Sequence, residues 1–264
     1  MLGFIGMGNM AIAMIGGMLA KGMVKPEEII GSAKTEATRS KMAEKFKITT
    51  VTSNAEVAAA ADILFLAVKP VYLGEVIQEI KEVVRDETLI VSIAAGRDLH
   101  YLEEAFGRPG LKLIRCMPNT PALVLEGCTG VCAKDNVTQE ELDRVVKLLA
   151  SFGRASVVPE RLMDVVVGVS GSSPAYVFLF IEAMADEAVA EGMPRKQAYE
   201  FAAQSVLGSA KLLLETGSHP GELKDMVCSP GGTTIQAVKV LEEKGLRAAV
   251  MDAMEACIER SRNM

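Results

Sequence analysis

Histidine and cysteine, the side chains that most often bind transition metals, are scarce in this chain. There are two histidines, His100 and His219, and five cysteines, none of them in a Cys-x-x-Cys pair. Cys128 and Cys132 are four residues apart in a predicted strand, where both would not easily bind one metal ion. An odd number of unpaired cysteines favours free, mostly buried thiols in a reducing cytoplasm. We therefore expect a cytoplasmic protein without a metal site.

Positive charge and long apolar runs are also limited. Lys and Arg number 28 against 34 Asp and Glu, so the net charge is −6 and the pI is near 5.2. Such an acidic chain is poorly suited to bind nucleic acid. We see no signal peptide before the first predicted strand, and no apolar run approaches the roughly 18 residues of a membrane span. We therefore expect neither nucleic acid nor a membrane as a partner.

Short apolar runs alternate with helical patterns up to about residue 158. This alternation, with strands that are almost continuously apolar, is typical of a parallel sheet covered on both faces by helices. We predict an α/β fold with a doubly wound Rossmann-type domain over residues 1–158. Its predicted strands are Leu2–Ile5, Ile29–Gly31, Ile63–Val68, Leu89–Ile93, Leu113–Cys116, Gly130–Ala133 and Ala155–Val158. Its predicted helices include Thr35–Phe46, Val71–Val84 and Gln139–Phe152.

After Pro159 no strand pattern recurs, and the segments are helical. The helix predicted at Pro174–Glu191 has one narrow polar face and is otherwise apolar, which is too much apolar surface for a lone surface helix. We predict an all-helical domain over residues 159–264 that buries this surface against another subunit. A monomeric, alanine-rich bundle is the alternative. The further predicted helices are Arg195–Thr216, Gly221–Val227, Thr233–Lys244 and Leu246–Arg260.

The N-terminal strand runs into a Gly-x-Gly-x-x-Ala motif and then a helix. Gly6 suits the tight turn, Gly8 lets a pyrophosphate approach the backbone, and Ala11 allows close packing of helix and strand. With this context on both sides, the motif predicts a dinucleotide site. Its cofactor-binding residues are Gly6, Met7, Gly8, Asn9 and Met10.

The second strand ends without the acidic residue that usually binds the ribose 2′-hydroxyl of NAD. Instead Ser32 is placed to bond a 2′-phosphate, and Lys34 or Arg39 can balance its charge, which favours NADP (NADPH) and leaves NAD as the alternative. Arg39 is equally well explained as a solvated surface charge.

Two further segments are expected at the cofactor site. One is the end of the strand at 63–68, because ligands in open α/β sheets lie beyond the carboxyl ends of strands; its candidate residues are Ala67, Val68, Lys69 and Pro70. Lysine is unfavourable at the start of a helix, so Lys69 indicates an anion or substrate nearby; a helix-start lysine without such a role is the alternative. The other is the loop carrying Asn54, on the adenosine side.

Near the far end, the segment Ser229-Pro230-Gly231-Gly232-Thr233-Thr234 combines a glycine turn with hydroxyl residues at a predicted helix start. The free N–H groups of a helix N-terminus attract a small carboxylate without any Lys or Arg. The alternative is an ordinary N-cap by Thr233 or Thr234.

Together these motifs closely resemble the pyrroline-5-carboxylate reductase family over essentially the whole chain. Ser173 departs from the glycine that we expect to be commoner there. The resemblance is carried by Phe4-Ile5-Gly6-Met7-Gly8-Asn9-Met10, Ala67-Val68-Lys69-Pro70, Arg115-Cys116-Met117-Pro118-Asn119-Thr120-Pro121, Gly171-Ser172-Ser173-Pro174-Ala175-Tyr176 and Ser229-Pro230-Gly231-Gly232-Thr233-Thr234-Ile235.

The resemblance implies NAD(P)H-dependent reduction of Δ1-pyrroline-5-carboxylate to L-proline, the last step of proline biosynthesis. It also implies a homo-oligomer, an interlocked dimer that assembles into a decamer, with the Gly-Gly-Thr-Thr loop of one subunit closing on its partner's nicotinamide site. We expect Thr234 to be catalytic, and Asn119 and Thr120 to shape the cleft; Tyr176 is better explained as a core aromatic. The expected substrate-binding residues are Ser229, Gly231, Gly232, Thr233 and Thr234.

Two alternatives stand against this function. A β-hydroxyacid dehydrogenase needs a catalytic lysine after its glycine-rich segment, and residues 168–178 contain none. A non-catalytic NADP-binding sensor has no need of an organised carboxylate loop.

Overall fold

The chain, described over residues 1–264 by a computed structural model, divides into two compact units. The first, here the sheet unit, comprises Met1–Ser172 and Cys257–Met264; the second, the helical unit, comprises Ser173–Ala256. The domain boundary that the sequence predicts at residue 158 lies at the end of the last strand, earlier in the chain than the boundary between the two units at Ser172. The short helical segments that follow still pack with the sheet unit, since Met163 is fully buried in one of its cores.

The sheet unit contains one eight-stranded sheet in the order β3-β2-β1-β4-β5-β6-β7-β8. Neighbouring strands are parallel except β6 and β7. The doubly wound Rossmann-type fold is thereby confirmed. The strands are β1 (Leu2–Ile5), β2 (Ile29–Ser32), β3 (Thr49–Val51), β4 (Ile63–Leu66), β5 (Leu89–Ser92), β6 (Lys112–Met117), β7 (Gly127–Ala133) and β8 (Gly153–Val157).

Helices cover both faces of this sheet, and all further helices follow the last strand. In the sheet unit they are α1 (Asn9–Ala20), α2 (Glu36–Phe46), α3 (Asn54–Ala60), α4 (Pro70–Ile80), α5 (Leu99–Phe106), α6 (Gln139–Leu149) and α7 (Met163–Val166). Then come α8 (Ser173–Ala190), α9 (Arg195–Thr216), α10 (Pro220–Val227), α11 (Thr233–Glu243) and α12 (Leu246–Arg262). The absence of strands after Pro159 is as expected.

Successive residues of the central strands point to opposite faces and so build two separate cores. Phe4 and Phe65 stack in the core on one face, with ring centroids 4.7 Å apart, whereas the adjacent Ile5 and Leu66 lie in the core on the other. Burial on both faces explains why these strands are almost continuously apolar.

The antiparallel pairing of β6 with β7 differs from the all-parallel pattern that strand–helix alternation predicts. The connection between them holds only the short 3₁₀ segment Thr120–Val124. A parallel crossover needs a dozen or more residues, so this short connection returns the chain in the opposite direction.

The apolar stretch from Glu160 to Ala190 corrects one expectation. It is helical and 31 residues long, and an 18-residue window within it has a mean hydropathy of 1.5, so by length and composition alone it could cross a membrane. The sequence reading missed it because Gly168 and the serines at 170, 172 and 173 interrupt the apolar run. Little of the stretch is buried within the chain, and a helix that packs against another protein surface passes the same test.

Two adjacent glycines of α1 give a matched test of its packing. At Gly17 an added Cβ would lie 2.6 Å from Cβ of Phe152, whereas at Gly16 it would make ordinary contact, 3.5 Å from the Phe46 ring. We expect Gly17→Ala to lower the free energy of unfolding by about 1–3 kcal/mol through overpacking. Gly16→Ala should raise it by up to about 1 kcal/mol, because alanine is the better helix former. Chemical denaturation of both variants measures this, and equal effects would contradict it.

Candidate active site

The start of α1 is built to accept a phosphate group. Gly6 has φ +93°, and a Cβ there would lie 2.6 Å from the Ala67 carbonyl oxygen, so only glycine allows this turn beside β4. Gly8 is the N-cap, makes no side-chain capping bond, and has open space where a Cβ would be. The first N–H groups of α1 therefore have no side-chain partner, which suits the pyrophosphate of a dinucleotide.

Of the other motif residues, Asn9 is exposed and Met10 half-buried, whereas Met7 is buried. The Met7 side chain packs against Gly31 of β2, where a Cβ would lie 2.0 Å from the Met7 methyl carbon. Met7 can therefore offer a ligand only its backbone.

Ser32 at the end of β2 and Asn54 at the start of α3, predicted separately as cofactor residues, are in contact. Ser32 is fully buried, and its hydroxyl donates a hydrogen bond of 2.6 Å to Oδ1 of Asn54. Nδ2 of Asn54 in turn donates to Oε2 of Glu79 at 2.5 Å. Lys34 is exposed, with its ammonium 3.6 Å from Oε2 of Glu75.

The third predicted cofactor segment lies at the carboxyl end of β4. The Ala67 amide donates to the Ile5 carbonyl at 2.8 Å, which continues the pairing of β4 with β1. Val68 is half-buried. Lys69 is the exposed N-cap of α4, makes no capping bond, and is followed by Pro70 in the first helical position. The structure thus gathers all the predicted cofactor residues at one edge of the sheet.

A second helix that begins at a glycine without a side-chain cap, α11, lies in the helical unit. Gly231 has φ +71°, a backbone conformation that favours glycine, and a Cβ on Gly232 would lie 2.4 Å from the Ser229 hydroxyl oxygen and force that hydroxyl to move. Gly232 is the N-cap of α11 and makes no side-chain capping bond. The alternative in which Thr233 or Thr234 caps the helix is therefore wrong. The N–H groups of the first turn remain free for an anion.

One predicted donor is already engaged. The Gly232 N–H donates to the Ser229 carbonyl at 3.0 Å and closes the turn, so it is not free for a ligand in this structure. The hydroxyl groups of Ser229, Thr233 and Thr234 make no hydrogen bond to another residue. The backbone N–H groups that follow Gly232, together with these hydroxyls, form the set that can bind a carboxylate.

Asn119, Thr120 and Tyr176, the remaining residues singled out in the sequence, differ in how deeply they are buried. Asn119 is buried: its Nδ2 donates to the Ser170 carbonyl at 2.9 Å, and its Oδ1 accepts from the Cys128 amide at 2.8 Å, so it holds three segments together. Thr120 is exposed and Tyr176 is half-buried.

Sequence reasoning missed Glu75 and Glu79, whose carboxylates contact predicted cofactor residues, because exposed carboxylates on a helix look like an ordinary solvated face.

The buried cysteines are not candidates for thiolate chemistry. Burial raises the pKa of Cys116 well above its usual value and, with the nearby Glu160 carboxylate, raises the pKa of Cys132 to about 12. Both thiols therefore stay protonated at neutral pH.

The two glycines of the first motif should respond differently to one added methyl group. Gly8→Ala places a Cβ in open space, so the melting temperature should stay the same while the Kd for NADPH rises by about tenfold or more, because the methyl group occupies the path of the pyrophosphate. Gly6→Ala should instead lower the melting temperature, since its Cβ meets backbone. Calorimetric titration and thermal melts check this. Unchanged NADPH affinity in Gly8→Ala would remove the pyrophosphate from this turn.

Comparisons with known proteins cover both parts of the chain. A family model described as pyrroline-5-carboxylate reductase dimerisation matches residues 160–264. Another, described as NADP oxidoreductase, coenzyme F420-dependent, matches residues 1–96.

Full-length relatives give the same result. The pyrroline-5-carboxylate reductase of Escherichia coli (strain K12) is 54% identical over 263 residues, which cover 100% of this chain and 97% of that protein. The structure of a pyrroline-5-carboxylate reductase from Coxiella burnetii matches with a TM-score of 0.93 at 33% identity, covering 99% of this chain and 97% of that one. The Plasmodium falciparum pyrroline carboxylate reductase, solved with NADP bound, matches with a TM-score of 0.89 at 32% identity and the same coverage. The chain belongs to the pyrroline-5-carboxylate reductase family.

Proposed function

We propose that this chain reduces Δ1-pyrroline-5-carboxylate to L-proline, the last step of proline biosynthesis, with NADPH as the hydride donor and NADH as the alternative. The observation that carries the proposal is the uncapped start of α11 at Gly232, where a glycine turn presents free N–H groups beside three hydroxyls. It explains how a small carboxylate is bound in a segment with no Lys or Arg between Ser229 and Gln236. The uncapped start of α1 provides the complementary cofactor site.

The substrate carboxylate is assigned to the first turn of α11. The backbone N–H groups of Thr233 and Thr234 are the proposed donors, with hydroxyls of Ser229 and Thr233 beside them. Gly231 and Gly232 act by allowing the turn and the close approach of the ligand. The helix dipole adds a favourable partial positive charge at this end.

Thr234 is assigned the chemical role at the ring nitrogen. Its half-buried hydroxyl is free of other partners and can donate to that nitrogen or relay its proton. The nicotinamide, when bound, supplies the hydride. A protonated imine is already a good electrophile, so a strong general base is not required. The protein's main contribution is to hold substrate and cofactor in line.

If Thr234 acts at the ring nitrogen, removing its hydroxyl should slow the reaction without changing cofactor binding. Thr234→Ala should lower kcat/KM for pyrroline-5-carboxylate by about 10- to 100-fold, the effect of losing about 1–3 kcal/mol of transition-state stabilisation. The Kd for NADPH should not change. Thr234→Ser retains the hydroxyl and should recover most of the activity. Loss of NADPH absorbance, with proline identified as product, measures this; unchanged kinetics in Thr234→Ala would remove the residue from the mechanism.

The assembly is proposed as an interlocked homodimer, with dimers joining further into a decamer. Support comes from large apolar side chains that the helical unit leaves exposed, including Phe178 (65%), Leu179 (67%), Phe201 (62%) and Met251 (69%). The dimerisation family model also matches this part of the chain. In the proposed dimer, the Gly231–Thr234 loop of one subunit closes on the cofactor site of its partner. A second subunit, rather than lipid, covers the apolar stretch at 160–190.

The cellular location is proposed as cytoplasmic. Its support is that all five cysteines are free thiols and that none is paired in the fold.

The dimer proposal predicts that assembly and activity fail together. Phe178→Asp introduces a charge into the proposed interface and should reduce the sedimentation mass to that of a monomer, because burying an unpaired charge costs several kcal/mol. Reductase activity should fall with it, while NADPH binding to the sheet unit persists. Val83→Asp, a matched change at an exposed valine of the sheet unit, should alter neither. A monomeric wild-type protein with full activity would contradict the proposal.

A further inference from the structure

Two carboxylates of α4 reach the predicted cofactor residues at the end of β2. Glu75 and Glu79 are one helical turn apart and both are exposed. Oε2 of Glu75 lies 3.6 Å from the Lys34 ammonium, and Oε2 of Glu79 accepts the hydrogen bond from Asn54. Negative charge therefore stands on the side of the site where a ribose 2′-substituent is expected.

The contact with Glu79 fixes the hydrogen-bonding direction of the whole chain Glu79–Asn54–Ser32. A carboxylate only accepts, so the Asn54 amide turns its nitrogen towards Glu79 and its oxygen towards Ser32. The Ser32 hydroxyl hydrogen is then committed to Asn54 at 2.6 Å. The Ser32 oxygen is left able to accept a hydrogen bond but not to donate one.

This polarity distinguishes the two cofactors. The 2′-phosphate of NADPH is strongly anionic and needs donors, and the buried Ser32 hydroxyl, committed to Asn54, does not supply one; the 2′-hydroxyl of NADH has no such need. The positive charge for that phosphate is the Lys34 ammonium, which is shared with Glu75 and lies 4.9 Å from the centre of the Tyr72 ring. The Arg39 guanidinium donates to the carbonyls of Ala33 (2.7 Å) and Lys34 (3.3 Å), so it holds the turn in place.

We propose that Glu75 and Glu79 are specificity-determining residues that weaken binding of the 2′-phosphate and so bring NADPH and NADH closer in affinity. Glu75 neutralises Lys34, and Glu79 sets Ser32 as an acceptor. The inference rests on the proposed cofactor site and deepens it. It predicts that removing either negative charge shifts the protein towards NADPH.

The test is equilibrium binding of two cofactor fragments that differ only in the 2′-phosphate. Adenosine 2′,5′-bisphosphate and 5′-AMP are titrated calorimetrically into the full-length protein at low ionic strength. Glu75→Gln should tighten the bisphosphate by about 3- to 10-fold, the effect of one surface charge on a nearby dianion, and leave 5′-AMP within about twofold. Glu79→Gln should act in the same direction. The gain should shrink at about 0.5 M salt because exposed charges are screened.

Two controls make the result specific to this site. Glu82→Gln removes an equal charge shortly after α4, from a carboxylate that contacts neither Lys34 nor Asn54, and should leave the ratio of the two affinities unchanged. Lys34→Gln should selectively weaken binding of the bisphosphate, and adding Glu75→Gln to it should restore little of that binding.

Equal tightening of both fragments by Glu75→Gln, or equal effects of Glu75→Gln and Glu82→Gln, would overturn the inference. Neither outcome depends on turnover, whereas absence of pyrroline-5-carboxylate reduction with both cofactors would overturn the proposed function instead.

Discussion

The candidate site depends on two helices, α1 and α11, that begin at a glycine and so leave their first backbone N–H groups without a side-chain cap. Most helices here begin with a capping side chain or a proline; Thr35, Ser53, Asp98 and Thr138 each cap a helix of the sheet unit. At α1 and α11 the N-cap is a glycine and no side chain replaces it. Free donors at a helix start cost stability unless something accepts from them. Both positions are therefore suited to the anionic ligands proposed for them, the pyrophosphate of a dinucleotide and a small carboxylate.

Each uncapped start needs support from neighbouring backbone. At α1 the support is the sheet: Gly6 turns against the Ala67 carbonyl, so β1 and β4 together fix where the helix begins. At α11 it is the turn itself, closed by the bond from Gly232 to the Ser229 carbonyl. Both turns favour glycine, since Gly6 and Gly231 have positive φ. With the anions proposed to bind at these helix starts, the proposed chemistry needs one hydroxyl, that of Thr234, rather than a cluster of charged side chains.

Most of the fold could be predicted because its strands are apolar on both faces and its motifs are contiguous. Strand β3 was missed because it is a short, polar edge strand, and the β6–β7 reversal because direction depends on connection length. The Gly-rich turns could be placed since each lies within a few residues of the helix that it serves. The contacts of Glu75 and Glu79 could not, because they join residues more than 20 positions apart that only the sheet order brings together.

Binding two anions through helix starts has a consequence for specificity. Binding each anion with a buried cation would cost the free energy of desolvating that cation. A helix dipole carries no net charge and so avoids this cost. A site organised this way has little built-in preference for the number of negative charges on the ligand. In the proposal, discrimination between the cofactors is left to the exposed pair Lys34 and Glu75 and to the orientation of the half-buried Asn54. Contacts between exposed charges are individually weak and salt-dependent, so the proposal predicts that single surface charges adjust the cofactor preference without disturbing the turn proposed to hold the pyrophosphate.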